Sequence, residues 1–121
     1  MSKELKNLGN KGEELVALWL MQQGFTIHQK NYTTRYGEID IIAQKDEVLV
    51  FVEVKLRRNP LFALSDLIVP SKQRKIITTA RWYIQMQRQR DFVYRFDVAL
   101  LSYTGLDYTI DYIPNAFTAN Y

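Results

Sequence analysis

The spacing of apolar residues along the chain predicts two amphipathic helices. Apolar residues recur every three to four positions in the first 23 residues, so the first helix covers about Lys3 or Asn10 to Gln23. It ends at Gly24, a residue type suited to the left-handed backbone that follows a helix. A second long helix opens at Pro70-Ser71, because proline and serine are favoured at helix starts.

Five segments with the apolar, β-branched or alternating character of strands complete the pattern. They are Phe25 to Tyr32, Gly37 to Ala43, Glu47 to Lys55, Asp91 to Tyr103 and Tyr108 to Ile113. The third is nearly all apolar and rich in valine, which is typical of a central strand covered on both faces. A turn at Lys45-Asp46 joins the second and third strands as a hairpin. The order α-β-β-β-α-β-β predicts an α/β domain with a small mixed sheet flanked by helices.

Composition favours a single folded domain spanning residues 1–121. The chain of 121 residues is 47% hydrophobic and 24% charged, a composition that argues against intrinsic disorder. It has no cysteine and one histidine, His28, which excludes thiolate sites and multi-histidine metal sites, so any metal must be held by oxygen. The run Leu15 to Met21 is too short to cross a membrane, and Met1 to Glu4 opens no signal peptide. We therefore expect a cytoplasmic protein that does not contact the membrane.

Charge is distributed unevenly along the chain. From Lys55 to Arg95 there are ten basic and two acidic residues, a net charge of +8, so the rest of the chain carries −5 to reach the overall +3. A basic surface beside an acidic region suits phosphate binding next to a carboxylate metal site. The alternative that this pattern leaves open is an ordinary solvated basic helix.

Three charged residues are predicted to meet at one end of the sheet. Glu53 and Lys55 close the apolar third strand two residues apart, so they project from the same face. The turn at Lys45-Asp46 would place Asp40 opposite Phe51 and diagonal to Glu53, near enough for two carboxylates to share a divalent ion. The alternative is an internal ion pair between Glu53 and Lys55.

Further candidates lie on the helices. Glu13 falls on the apolar stripe of the first helix and is a candidate fourth member of the site. The alternatives are that its carboxylate reaches solvent at the rim of this stripe or caps the helix N-terminus. The second helix places cations in its first turn, where the helix dipole disfavours them, which predicts phosphate contacts. The candidate phosphate-binding residues are Lys11, Arg35, Arg57, Arg58, Lys72, Arg74 and Lys75.

These motifs together resemble the YraN family of predicted endonucleases, relatives of Holliday junction resolvases in the PD-(D/E)XK nuclease superfamily. The resemblance covers nearly the whole chain and runs through Gly9-Asn10-Lys11-Gly12-Glu13, Asn31, Gly37-Glu38-Ile39-Asp40-Ile41-Ile42-Ala43, Val50-Phe51-Val52-Glu53-Val54-Lys55, Lys72 and Arg95-Phe96-Asp97-Val98. It departs from the superfamily in having Ile39 where a proline commonly precedes the aspartate. A Q-x-x-x-Y exonuclease motif is also missing, because Ile77 follows Gln73 four residues later.

The resemblance implies a restriction-endonuclease-like core and a metal-dependent endonuclease acting on branched or structured DNA. It implies that Asp40 and Glu53 are ligands of Mg²⁺ or Mn²⁺, that Lys55 is the catalytic lysine, and that Glu13 is an auxiliary acidic residue at the metal.

Two other kinds of function stay open from the sequence. One is a non-catalytic nucleic-acid-binding module on the same fold. The other is an interaction domain that forms a homodimer through Tyr103, Tyr108 and Tyr112, although core packing is the commoner use of such residues. We interpret His28, Trp82 and Asp97 as structural, with Asp97 pairing locally with Arg95.

Overall fold

The computed structural model describes residues 3–57, 68–87 and 91–119, which form two helices and five strands. These are α1 (Lys3–Gln22), β1 (Thr26–Thr34), β2 (Gly37–Lys45), β3 (Val48–Leu56), α2 (Pro70–Gln87), β4 (Val93–Thr104) and β5 (Asp107–Phe117). The predicted element order is confirmed. Gly24 follows α1 with a φ of +96°, the left-handed conformation expected after the helix. Neither described helix is long and apolar enough to cross a membrane.

The strands form one mixed sheet in the order β1-β2-β3-β4-β5. Neighbouring strands are antiparallel except for β3 and β4, which are parallel. A parallel pair needs a crossover connection, and the connection between β3 and β4 contains α2. This topology makes β3 a central strand, as its valine-rich sequence predicts.

Each face of the sheet is covered by one helix. On one face, Val16, Ala17 and Leu20 of α1 pack on the middle of the sheet, including Val50 and Val52 of β3. On the other face α2 packs on the alternate residues of β3, Leu49 and Phe51, through Ile76, Ile77, Ala80 and Tyr83. Successive residues of β3 therefore point to opposite helices, as the pleat of a strand requires. Glu53 continues the series that faces α2.

The register of the β2–β3 hairpin differs from the prediction. Lys45 pairs with Val48, so the two turn residues are Asp46 and Glu47 rather than Lys45 and Asp46. Asp46 has a φ of +53°, a left-handed conformation that aspartate tolerates better than lysine. Moving the turn by one residue shifts the register by two. Asp40 is therefore opposite Glu53 along the continued ladder, rather than opposite Phe51 and diagonal to Glu53.

Candidate functional site

Asp40 lies where the regular pleat of β2 breaks. Ile41 packs with the α1 side of the core, whereas Ile39, two residues earlier, packs with the α2 side. Backbone pairing runs from Lys45–Val48 to Ile41–Val52, and beyond it the Asp40 side chain reaches across to β3. Its Oδ2 accepts a hydrogen bond from the backbone N–H of Val54 at 2.8 Å. This bond fixes the carboxylate at the sheet end, where a regular strand would present a backbone carbonyl.

The environment of Asp40 opposes its ionisation on balance. Burial raises the pKa of Asp40, while the Val54 N–H, a hydrogen bond with Glu13 and the charge of Lys72 limit the rise. The carboxylate of Asp40 thus interacts with both helices, because it bonds to Glu13 of α1 and is close to the charge of Lys72 of α2. The two ligand candidates Asp40 and Glu53 come together at this break, rather than through a shared side of two regular strands.

Glu53 is a buried carboxylate with a cationic partner. Its side chain is 7% exposed, and its Oε1 lies 3.1 Å from Nζ of Lys72. Burial raises the pKa of Glu53 from 4.5 to about 7, the charge of Asp40 adds to the rise, and Lys72 and then Lys55 oppose it. The alternative that the sequence left open is an ion pair of Glu53 with Lys55. The ion pair is instead made with Lys72, because Glu53 faces the side of the sheet that α2 covers.

Lys55 occupies the second charged position at the end of β3. It is half-buried and two residues beyond Glu53, so strand alternation places it on the same side of the sheet. Its positive charge lowers the pKa of Glu53, although less than Lys72 does. Lys55 is therefore close enough to Glu53 to interact with a ligand bound there. The ion pair of Glu53 is formed with Lys72 and not with the Lys55 amine.

Glu13 is brought to the same place by the packing of α1. Gly12 allows the helix to approach β4 closely, since a Cβ at Gly12 would lie 2.5 Å from Cδ2 of the buried Leu101. Burial raises the pKa of Glu13 to about 7, and the charge of Asp40 and a hydrogen bond with Asp40 add to the rise. The protonation of Glu13 and that of Asp40 therefore depend on each other. Glu13, Asp40 and Glu53 are called the carboxylate cluster below.

Glu38 is a fourth carboxylate near this cluster that the sequence interpretation did not single out. Its charge raises the pKa of Glu13, Asp40 and Lys72. It is exposed and lies two residues before Asp40 on β2. The sequence indicates Glu38 only by its position two residues before Asp40 in the Gly37-Glu38-Ile39-Asp40 motif, in which only Asp40 is assigned a role.

The predicted phosphate-binding residues are only partly gathered near the cluster. Lys72 touches it directly, and Arg74 and Lys75 follow on the exposed side of α2. Arg57 points toward β5, where its guanidinium forms an ion pair with Asp111 at 3.2 Å.

The remaining basic candidates are Lys11, Arg35 and Arg58. Lys11 is exposed on α1, and Arg35 is exposed in the turn between β1 and β2. Arg58 lies outside the described residues.

Two shallow pockets beside α2 join the cluster to the exposed cations. One is lined by Gly37, Glu38, Ser71, Lys72, Lys75 and Ile76, and the other by Tyr36, Ser71, Arg74, Lys75 and Thr78. They share Ser71 and Lys75 and are called the α2 groove below. Gly37 forms part of its floor, where a Cβ would lie 3.2 Å from Oγ1 of Thr79. The glycine of the Gly37-Glu38-Ile39-Asp40 motif therefore lets α2 lie close to β2.

The other polar residues that the sequence singled out are structural. His28 contacts the Tyr83 hydroxyl through Nδ1 at 3.3 Å and Gln44 Oε1 through Nε2 at 2.8 Å. Asp97 is fully buried and accepts hydrogen bonds from Arg95, from the Tyr112 hydroxyl and from the backbone N–H of Asn115. The predicted pairing of Asp97 with Arg95 is confirmed. This network closes the irregular segment where the pairing of β5 with β4 shifts register.

The donor chemistry of the carboxylate cluster suits a hard divalent cation. Oε1 of Glu13 is buried and has no hydrogen-bond partner among the described residues, which is costly for a carboxylate oxygen. Carboxylate oxygens are the ligands that Mg²⁺ and Mn²⁺ prefer. Within residues 3–57, 68–87 and 91–119, however, no three Asp, Glu or His side chains are already gathered as a metal-binding group. Two features of the cluster thus fit a divalent cation, namely its carboxylate oxygens and the Oε1 of Glu13, which is unpaired among the described residues.

The fold and site define an α/β domain that has a mixed five-stranded sheet with a helix on each face and an acidic cluster at one end of the sheet. The chain belongs to the Uncharacterised protein family UPF0102, whose model matches residues 12–101. It is 41% identical over 122 residues to a UPF0102 protein of Geobacter metallireducens, covering 100% of both chains. It is 40% identical over 115 residues to one of Vibrio parahaemolyticus, covering 93% of both chains. It is 36% identical over 120 residues to one of Clostridium perfringens, covering 97% of this chain and 98% of the relative.

Proposed function

We propose that this protein is a metal-dependent endonuclease that hydrolyses phosphodiester bonds of branched or structured DNA. The observation that carries the proposal is the meeting of Glu13, Asp40 and Glu53 with Lys55 and Lys72 at one end of the sheet. A structural ion pair would need one carboxylate and one cation, whereas here the charge of Asp40 raises the pKa of both Glu13 and Glu53 in a partly buried site. Such arrangements are common at catalytic sites. The resemblance to the YraN nuclease family supports the same reaction.

The carboxylate cluster would hold Mg²⁺ or Mn²⁺ through Asp40 and Glu53, with Glu13 assisting. When bound, the ion supplies an activated water and stabilises charge on the phosphate. Asp40 is oriented for this role by the Val54 N–H, and Glu53 by the ion pair with Lys72. Lys55 stabilises negative charge on the phosphoryl oxygens, since its amine lies on the Glu53 side of the sheet and does not form the Glu53 ion pair.

The α2 groove provides the approach for the phosphate backbone. Arg74 and Lys75 are exposed along it, and Lys72 connects it to Glu53. Cations near a phosphate backbone supply affinity that does not depend on sequence and that falls with salt. A non-catalytic nucleic-acid-binding module would use the same groove without needing the three carboxylates.

A second candidate function, homodimerisation, is favoured by exposed apolar side chains on the α1 side of the sheet, opposite the α2 groove. Leu18 and Met21 of α1 and Tyr108 of β5 are exposed, and Leu18 and Tyr108 line a shallow pocket beside Trp19. Ile110 and Tyr112, in contrast, pack against the core, so the predicted tyrosine face is partly used for core packing. A dimer through this face would leave the carboxylate cluster accessible and is compatible with cleavage of branched DNA.

The proposed activity is tested by incubating the purified chain with four-way junction, flap, duplex and single-stranded DNA in Mg²⁺ or Mn²⁺. We expect internal cleavage that EDTA abolishes and that Glu53→Gln, Asp40→Asn and Lys55→Ala each remove. Glu47→Gln is the matched control, because Glu47 is an exposed glutamate at the other end of β3. Cleavage that persists in Glu53→Gln would point to a contaminating nuclease. DNA binding without cleavage in either metal would favour the non-catalytic module.

A further inference from the structure

Two large aromatic side chains are exposed in contact with each other at the outer end of the α2 groove. Tyr36, in the turn between β1 and β2, is 38% exposed, and Trp82, on α2, is 41% exposed. Their ring centroids are 6.0 Å apart and the rings are inclined by 56°. Isolated exposed apolar residues are ordinary, but two adjoining aromatic rings leave a patch that water solvates poorly.

Cationic side chains lie next to Tyr36, one member of this aromatic pair. The guanidinium of Arg35 lies 5.0 Å from the centre of the Tyr36 ring, and its Nη2 donates a hydrogen bond to the Tyr36 hydroxyl at 2.9 Å. Arg74 and Lys75 line the adjoining pocket together with Tyr36. Among the described residues, those that line this pocket are cationic or neutral, whereas Glu38 and Glu53 lie toward the other end of the groove.

The aromatic pair is connected to the carboxylate cluster along α2. The pocket that includes Tyr36 shares Ser71 and Lys75 with the pocket that includes Lys72, whose amine contacts Glu53. From Ser71 to Thr78 the helix rises by about 10 Å. A ligand lying in the groove would thus have aromatic rings at one end, carboxylates at the other and cations between them.

We propose that Tyr36 and Trp82, with Arg35, Arg74 and Lys75, bind an unpaired nucleotide of single-stranded DNA next to the phosphate that is cleaved. This inference rests on the proposed nuclease function and narrows its substrate to DNA with an unstacked segment. Aromatic rings stack on bases, and cations bind the adjoining phosphates. In a continuous duplex the base faces are covered by their neighbours, so a duplex offers the rings nothing to stack on. The charge around the rings favours this polyanion over an apolar protein segment.

Binding is measured on the full-length chain in EDTA, so that no cleavage occurs. The probes are a fluorescently labelled 12-nucleotide oligo-dT and a labelled 12-base-pair duplex, followed by anisotropy at low salt. We expect oligo-dT to bind more tightly than the duplex and to quench tryptophan fluorescence. Trp82→Ala and Tyr36→Ala should each weaken oligo-dT binding at least about fivefold, as expected for the loss of one stacked base. Duplex binding should be unchanged.

Two variants separate stacking from structure. Trp82→Phe keeps a flat ring, so it should retain most of the affinity but lose the fluorescence quenching. Tyr94→Ala removes a tyrosine of β4 that is as exposed as Tyr36 and lines neither pocket of the groove, so it should leave both affinities unchanged. Thermal melts of every variant show whether the fold is intact.

The outcomes distinguish this inference from the function on which it rests. If the wild type binds neither probe, and also cleaves none of the DNA substrates, the proposed nuclease function fails. If it binds DNA but the aromatic variants lose no affinity for oligo-dT, the proposed function stands and the stacking site is refuted. Equal losses for both probes together with a lowered melting temperature would also refute it, because the pair would then only hold the β1–β2 turn against α2.

Discussion

Glu53 should make the metal-free protein less stable as the pH rises. Its pKa is about 7 in the folded chain against an ordinary value of 4.5, so the folded state holds this proton more tightly than the unfolded state. A raised pKa contributes stability that is fully present below the unfolded value and is lost as the pH rises through the folded value. The free energy of unfolding should therefore fall between pH 4.5 and pH 7 and level off above it.

The size of the effect follows from the two pKa values. The difference between 4.5 and about 7 corresponds to about 3 kcal/mol, at about 1.4 kcal/mol per pH unit. Glu53→Gln replaces the carboxylate with a neutral group of the same shape, so the variant should behave like the protonated form at every pH. At pH 8 it should be more stable than the wild type by an amount approaching this figure, and at pH 4.5 the two should be equal.

Urea unfolding at pH 4.5, 5.5, 7 and 8, with EDTA present throughout, measures this difference. Glu47→Gln, the exposed control, should follow the wild type at each pH. The slope of Glu53→Gln will not vanish, because the pKa of Glu13 is also raised. The reasoning would be refuted if the wild type were as stable at pH 8 as at pH 5.5. It would also be refuted if the free energy of unfolding of Glu53→Gln fell with pH as steeply as that of the wild type, because folding would then not raise the pKa of Glu53.

The helices, the strands and the apolar stripes were predictable because they depend on local pattern. Val16, Ala17 and Leu20 lie on one side of α1 at helical spacing, and all three are buried against the sheet. The alternating residues of β3 divide between the two helices in the same way. In both cases the period of the secondary structure fixes which residues face inward, so no knowledge of the tertiary structure was needed.

The hairpin register was wrong because a two-residue turn fits the sequence at either of two positions. The structure uses the one that gives Asp46 the left-handed backbone, where aspartate carries less strain than lysine. The break of the pleat at Asp40 could not be predicted either. The break depends on the hydrogen bond that the Val54 N–H donates to the Asp40 side chain instead of to a backbone carbonyl. This bond is determined by tertiary contacts on both faces of the sheet, which local sequence does not reveal.

The partner of Glu53 was missed for a different reason. The sequence places Lys55 near Glu53, because strand periodicity relates residues two positions apart. Lys72 is 19 positions away from Glu53 and reaches it only because α2 lies across the sheet after the crossover. Where a helix docks depends on non-local packing, to which Gly37 contributes by admitting α2 close to β2. The same docking brings Tyr36 and Trp82 together, a contact between distant positions that the sequence alone does not indicate.

Three further predictions test the ion pair, the cluster and the β5 network. Lys72→Met should destabilise the metal-free chain by about 1 to 2 kcal/mol at pH 8, a modest loss because the lysine is half-exposed. The loss should be smaller at pH 5.5, where Glu53 is protonated. Urea unfolding measures both values, and Lys75→Met should show no such effect. Mg²⁺ should raise the melting temperature more at pH 8 than at pH 5.5, because protons compete with the ion for the carboxylates, and an equal rise at both pH values would contradict binding there. Asp97→Asn should destabilise the fold by about 2 to 4 kcal/mol without changing DNA binding, because it leaves buried donors without their charged acceptor. Asp111→Asn is its control, because Asp111 forms an exposed ion pair worth less than about 1 kcal/mol. If urea unfolding showed equal losses for the two variants, the buried network would not be what holds β5 on the sheet.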